Sequence, residues 1–152
     1  MGKILMVCLG NICRSPLAEG ILKSKITHLD IVVDSAGTAA YHIGERPDIR
    51  SIEIANKYGI DLTSQRARQF SVNDFDKFDK IYAMDTSNYS NIISLARNEK
   101  DRDKVDLILN EINPKSCQSV LDPYYGGDNG FQNVYEMLDK ACDIIIQNLE
   151  KS

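Results

Sequence analysis

Two short apolar runs, Ile4-Leu5-Met6-Val7 and Ile31-Val32-Val33, limit what this chain can fold into. A strand with one wetted face alternates apolar and polar side chains, whereas a run apolar at every position belongs in a parallel sheet covered on both faces. Two further segments read the same way, so strands are expected at Lys3 to Cys8, Ile31 to Ala36, Lys80 to Met84 and Val105 to Leu109. Parallel neighbours need crossover connections, usually helical, and the intervening sequence supplies them. The first helix follows Ser15-Pro16, with Pro expected at the first helical position and Leu17, Ile21 and Ser24 on one side. A second runs from about Asp48 to Tyr58 and stops at Gly59, which suits a left-handed cap. A third begins near Asp85 and runs to about Asn98. The last carries Phe131, Val134, Tyr135, Leu138, Cys142, Ile145 and Leu149 at helical spacing. Alternating strands and helices with right-handed crossovers predict one α/β domain over residues 1–152. Its four-stranded parallel sheet is doubly wound, with helices on both faces.

Ligands of such sheets bind beyond the carboxyl ends of the strands. That directs attention to the loops after Val7, Ala36, Met84 and Leu109. The first reads Cys8-Leu9-Gly10-Asn11-Ile12-Cys13-Arg14-Ser15: a cysteine, five residues, an arginine and a serine. The bare pattern is weakly specific; between a strand and a helix it is strong. A short loop closing on a helix N-terminus turns backbone N–H groups inward and makes a nest for an anion. Leu9 to Ser15 are the expected phosphate cradle, with Gly10 and Asn11 in the left-handed conformations its curl demands. Arg14 can hold two phosphate oxygens with its planar fork, which Lys could not. An ordinary thiol is only about 3% thiolate at neutral pH. A nucleophilic Cys8 therefore needs the helix dipole, the nest and the Ser15 hydroxyl to favour its anion.

A thiolate that attacks phosphorus also needs an acid for the departing oxygen. Asp122 is the candidate, in the turn-rich loop Leu121-Asp122-Pro123-Tyr124-Tyr125-Gly126-Gly127, where Pro123 biases it toward an extended backbone. Cys8 and Cys13 are not spaced as Cys-x-x-Cys, so a dithiol redox motif is not indicated. They are nevertheless expected to bridge when Cys8 oxidises. The loop lacks the Gly-Lys-Ser/Thr ending of a nucleotide-binding loop. With only His28 and His42, neither near a cysteine pair, no metal site is expected. The net charge of −4 argues against a nucleic-acid surface. No apolar run approaches the ~20 residues of a membrane span, and Ile4 to Leu9 is too short for a signal peptide. A cytoplasmic protein is expected, its four cysteines (Cys8, Cys13, Cys117, Cys142) present as thiols.

These features come with others in a familiar order. After the loop come Pro16-Leu17-Ala18-Glu19, Asp34-Ser35-Ala36-Gly37-Thr38, Ala67-Arg68-Gln69, Met84-Asp85 with Ser87-Asn88, and Asp122-Pro123-Tyr124-Tyr125-Gly126. From Lys3 to about Leu149 the chain resembles the low-molecular-weight protein tyrosine phosphatases. The resemblance implies Cys8 as nucleophile, Arg14 as phosphate clamp and Asp122 as acid and then base. Asn11, Ser15 and Ser35 would hold the loop in shape. Tyr41 and His42 would form the variable rim, and Tyr124 and Tyr125 the opposite wall. It implies a phosphotyrosine-bearing protein as substrate, inorganic phosphate as product, and no cofactor. Many eukaryotic members carry a His before Lys-Ala-Arg-Gln; here Gln65 and Arg66 stand there, and the Gln65 amide is expected to hydrogen-bond Asn11.

Two enzyme classes and one non-enzyme share this fold. Thioredoxin-linked arsenate reductases need relay cysteines in the middle of the chain, and residues 79 to 98 contain none. Protein arginine phosphatases typically have Thr where this chain has Ile12, and lack the paired tyrosines. A silent phosphate-binding module would need neither Cys8 nor Asp122.

Overall fold

The computed structural model describes residues 2–114, 118–120 and 129–151. Strand β1 (Gly2–Cys8) lies at the centre of a parallel sheet, with β2 (Ile31–Gly37) on one side and β3 (Lys80–Ala83) on the other; β4 (Val105–Leu107) completes the order β2-β1-β3-β4. Around it are α1 (Arg14–Lys25), α2 (Ile49–Lys57), α3 (Asp74–Lys77), α4 (Thr86–Leu95), α5 (Glu99–Asp103) and α6 (Gly130–Lys151). The four expected strands are present, and the sheet is covered on both faces.

The unbroken apolar run of β1 follows from that cover. Ile4, Met6 and Cys8 point into a core built with Leu17 and Ile21 of α1 and Leu138, Cys142 and Ile145 of α6. Leu5 and Val7 point the other way, toward Phe70, Phe75, Ile81 and Ile92. Every residue from Ile4 to Cys8 is buried; at roughly 1.5–3 kcal/mol for each large apolar side chain, this strand anchors the fold. Expulsion of water around Cys142 pushes its thiol well above the ordinary value.

Several local expectations need correction. Helix α1 begins at Arg14, so Pro16 is its third residue and not its first; the first-turn N–H groups have no intrahelical partner, and Pro is tolerated there. Ser24 faces outward, its hydroxyl donating to the Ile21 carbonyl at 2.7 Å. The expected helix from Asp85 to Asn98 is two helices. Asp85 caps α4 by accepting from the Asn88 N–H, and Asn98 caps α5 by accepting from the Asp101 N–H, with Ala96 extended between them. Strand β4 stops at Leu107 because Ile108–Glu111 turns into a 3₁₀ helix. Helix α2 ends as expected: Gly59 takes φ +79°, and the N–H groups of Gly59 and Ile60 return to the carbonyls of Asn56 and Ala55.

Candidate active site

The chain runs from β1 to β2 on one side of the sheet and then crosses to β3 on the other. The carboxyl end of β1 is thus the topological switch point, where a crevice opens. Cys8 closes β1 and Arg14 opens α1, so the loop between them lies in that crevice. Cys8, Leu9, Gly10, Ile12, Cys13 and Arg14 line a cavity of ≈ 240 Å³ together with Tyr41 and His42.

Cys8 is 3% exposed. Its Sγ lies 3.0 Å from Ser15 Oγ and accepts from the Asn11 N–H at 3.3 Å. Asn11 has φ +58°, left-handed as expected. Its side chain makes that conformation tenable: Nδ2 donates to Ser15 Oγ at 2.8 Å and to Ser35 Oγ at 2.9 Å, while Oδ1 accepts from the Arg68 N–H at 3.0 Å. Asn11, Ser15 and Ser35 therefore lie in one buried network behind the loop. Gly10 is not left-handed; its missing Cβ instead makes room for His42, whose Cδ2 would sit 3.0 Å from such an atom. Gln65 does not reach Asn11. Its Nε2 donates to the Pro16 carbonyl at 3.0 Å, and the Arg68 backbone takes the place expected of it.

Other positioning contacts come from residues the sequence did not single out for a role. Arg14 Nη1 donates to Asp85 Oδ2 at 2.8 Å and to the Val120 carbonyl at 3.1 Å. Asp85 stands two residues beyond Ala83, where β3 ends, and a carboxylate just past the carboxyl end of a strand beside the loop is the available signal. Gly37 supports the loop from below: a Cβ there would stand 2.7 Å from the Leu9 carbonyl oxygen and 3.0 Å from the Asn11 nitrogen. The Arg68 guanidinium bridges Asp34 and the buried Asp74. Burial alone would lower its pKa, but the two carboxylates outweigh that and hold it above the ordinary value.

Tyr41 and His42, expected at the rim, line the same cavity. Tyr41 is 76% exposed, and His42 Nδ1 lies 2.7 Å from Glu45 Oε2. Asp122, Tyr124 and Tyr125 lie outside the described residues, as does Cys117. Among the described residues no cluster of three or more His, Cys, Asp or Glu side chains could hold a metal, and no helix is long and apolar enough to cross a membrane.

A loop that joins a central parallel strand to a helix N-terminus, with a buried thiol at one end and an arginine at the other, defines a phosphate-handling α/β enzyme. Residues 3–152 match the model of the low molecular weight phosphotyrosine protein phosphatases, and the chain belongs to that family of phosphoric monoester hydrolases. The enzyme of that name from Schizosaccharomyces pombe is 43% identical over 90% of this chain and 89% of its own. The crystal structure of a protein tyrosine phosphatase from Entamoeba histolytica superposes with a TM-score of 0.91 at 37% identity, covering 99% of this chain and 98% of the other. A crystal structure named as a drosophila arginine phosphatase gives a TM-score of 0.88 at 32% identity, covering 98% of each chain.

Proposed function

We propose that the chain hydrolyses phosphotyrosine in proteins through a phosphocysteine on Cys8. The observation that carries this reading is Cys8 in the lining of the cavity, its sulfur in hydrogen-bonding reach of the Ser15 hydroxyl and the Asn11 N–H. Two such neighbours fix the sulfur in position for attack on a phosphate held by the loop. In the first step the thiolate attacks phosphorus in line and the bond to the phenolic oxygen breaks, while Arg14 and the loop amides hold the equatorial oxygens. Asp122 gives its proton to the leaving phenolate. As a carboxylate it then takes a proton from water, which attacks phosphorus and releases inorganic phosphate and the Cys8 thiolate. Phenolate, the anion of a group with pKa ~10, leaves far more readily than a serine alkoxide.

The test uses p-nitrophenyl phosphate and a phosphotyrosine peptide. Cys8→Ser abolishes turnover of both while inorganic phosphate still binds. Asp122→Ala slows the peptide more than p-nitrophenyl phosphate, whose leaving group needs less protonation. Equal losses on both would remove Asp122 from the acid role.

The drosophila arginine phosphatase neighbour motivates a second reading, with phosphoarginine as substrate. Ile12 lines the cavity and favours phosphotyrosine. A guanidinium brought against that branched apolar side chain leaves N–H groups unpaired at about 1–3 kcal/mol each, or roughly tenfold in selectivity. Measurement of kcat/KM on both peptides, for the parent and for Ile12→Thr, separates the two. A parent enzyme that prefers phosphoarginine would overturn the tyrosine assignment and leave the Cys8 chemistry standing.

A further inference from the structure

Glu19 belongs to α1, one turn beyond the loop, and is 4% exposed. Its Oε2 pairs with Lys23, whose side chain is half exposed, and its Oε1 accepts from the Ser35 hydroxyl at 2.6 Å. From there an unbroken line of contacts runs inward: Ser35 Oγ to Asn11 Nδ2, Asn11 Nδ2 to Ser15 Oγ, Ser15 Oγ to Cys8 Sγ.

Donor and acceptor counting gives this line a direction. A carboxylate has no proton to give, so the Ser35 hydroxyl must spend its single proton on Glu19 and present only lone pairs to Asn11. The Asn11 amide cannot be turned over, because its Oδ1 faces the Arg68 backbone N–H, an obligatory donor. Both hydrogens of Nδ2 are therefore committed, one to Ser35 and one to Ser15. Ser15 Oγ accepts, and its own proton is left for the Cys8 sulfur at 3.0 Å, or for the more distant Ala36 carbonyl at 3.4 Å.

We infer that Glu19 is a positioning residue for Cys8: by taking the Ser35 proton it keeps Ser35 an acceptor that, with the Arg68 N–H, braces Asn11 in the orientation that turns the Ser15 hydroxyl toward the sulfur. Without an acceptor at position 19 the buried Ser35 proton turns toward Asn11 Nδ2, donor against donor, and the left-handed Asn11 loses the contact that braces it. The inference rests on the reading of Cys8 as the reactive thiolate. Through space a carboxylate would act with the opposite sign, since a negative charge near a thiolate disfavours it. The two roles can therefore be told apart.

The experiment is the pH dependence of Cys8 alkylation by iodoacetamide, read by mass of the modified peptide, in the parent, Glu19→Leu, Glu19→Gln and Ser35→Ala. No turnover is needed, so failure of the phosphatase mechanism and failure of this relay are separate results. Glu19→Leu slows alkylation at pH 6 by about tenfold, the worth of one hydrogen bond to the attacking sulfur. Glu19→Gln restores the acceptor without the charge and brings the profile back toward the parent. Ser35→Ala, which removes the link and leaves the packing, behaves like Glu19→Leu and carries the test if the leucine variant does not fold. Unchanged or faster alkylation in Glu19→Leu or Ser35→Ala overturns the inference. So does a Glu19→Gln variant as slow as Glu19→Leu, which would mean that the charge and not the acceptor matters.

Discussion

Arg14 and Asp85 meet across the crevice between the helix that follows β1 and the end of β3, with Nη1 donating to Oδ2 at 2.8 Å. The same nitrogen donates to the Val120 carbonyl. Both hydrogens of Nη1 are thus occupied, which leaves the Nε and Nη2 N–H groups as the fork for an anion. Because Asp85 Oδ1 also caps α4, one carboxylate fixes both the helix and the arginine.

Asp85→Asn separates these two tasks. Asn caps a helix nearly as well as Asp, so the melting temperature stays close to that of the parent. The hydrogen bond to Arg14 loses its charge, and kcat/KM on p-nitrophenyl phosphate falls by about tenfold or more. Inhibition by inorganic phosphate weakens with it. A variant with parental kinetics would show that Arg14 needs no carboxylate to hold it.

Gly37→Ala places a methyl group against backbone, not against side chains that could swing away. The loop must shift, and overpacking of this kind costs roughly 1–3 kcal/mol. Misplacement by about 1 Å is worth on the order of a hundredfold in rate. Activity therefore falls much further than stability, as steady-state kinetics and thermal melts on the same sample would record.

Mild peroxide converts the Cys8 thiolate to a sulfenic acid, and attack by the Cys13 thiol expels water and forms a Cys8–Cys13 disulfide. Both residues line the same cavity. Dithiothreitol restores activity. Cys142, fully buried with its thiol pushed upward, stays unmodified. Peptide mapping that finds only Cys8 sulfinic acid and no bridge would rule out protection by Cys13.

Arg97 forms hydrogen-bonded ion pairs with Asp76 and Asp101 and holds both carboxyl groups below their ordinary pKa. A group depressed by folding contributes stability above its unfolded pKa of about 3.9 and loses it as pH falls through the lower folded value. Asp101→Asn therefore lowers the melting temperature at pH 7. The gap between variant and parent narrows as the pH drops below about 3.9. A gap independent of pH would mean that ionisation of Asp101 contributes nothing to stability.

Legibility followed sequence distance. The sheet could be read because strands buried on both faces need no alternation to be seen, and Cys8, Arg14 and Ser15 could be read because they share one loop. The break between α4 and α5 was hidden because polar caps, not a proline or glycine, divide the helices. The resemblance puts Gln65 where other members carry a His facing Asn11, whereas a main-chain N–H of Arg68 occupies that oxygen. Asp85 stands 71 residues from Arg14, and Glu19 reaches Cys8 only through three intermediaries. Such partners are set by the crossovers of the sheet, which no local pattern records.

The position of β1 at the centre of the sheet also governs when the enzyme can first work. Its partners are residues 31–37 and 80–83, and Arg14 waits for Asp85 and Val120. Cys8 precedes every one of these partners in the chain, so its surroundings are assembled from segments translated after it. During synthesis the loop therefore stays without its supports until the chain has been made at least as far as Val120.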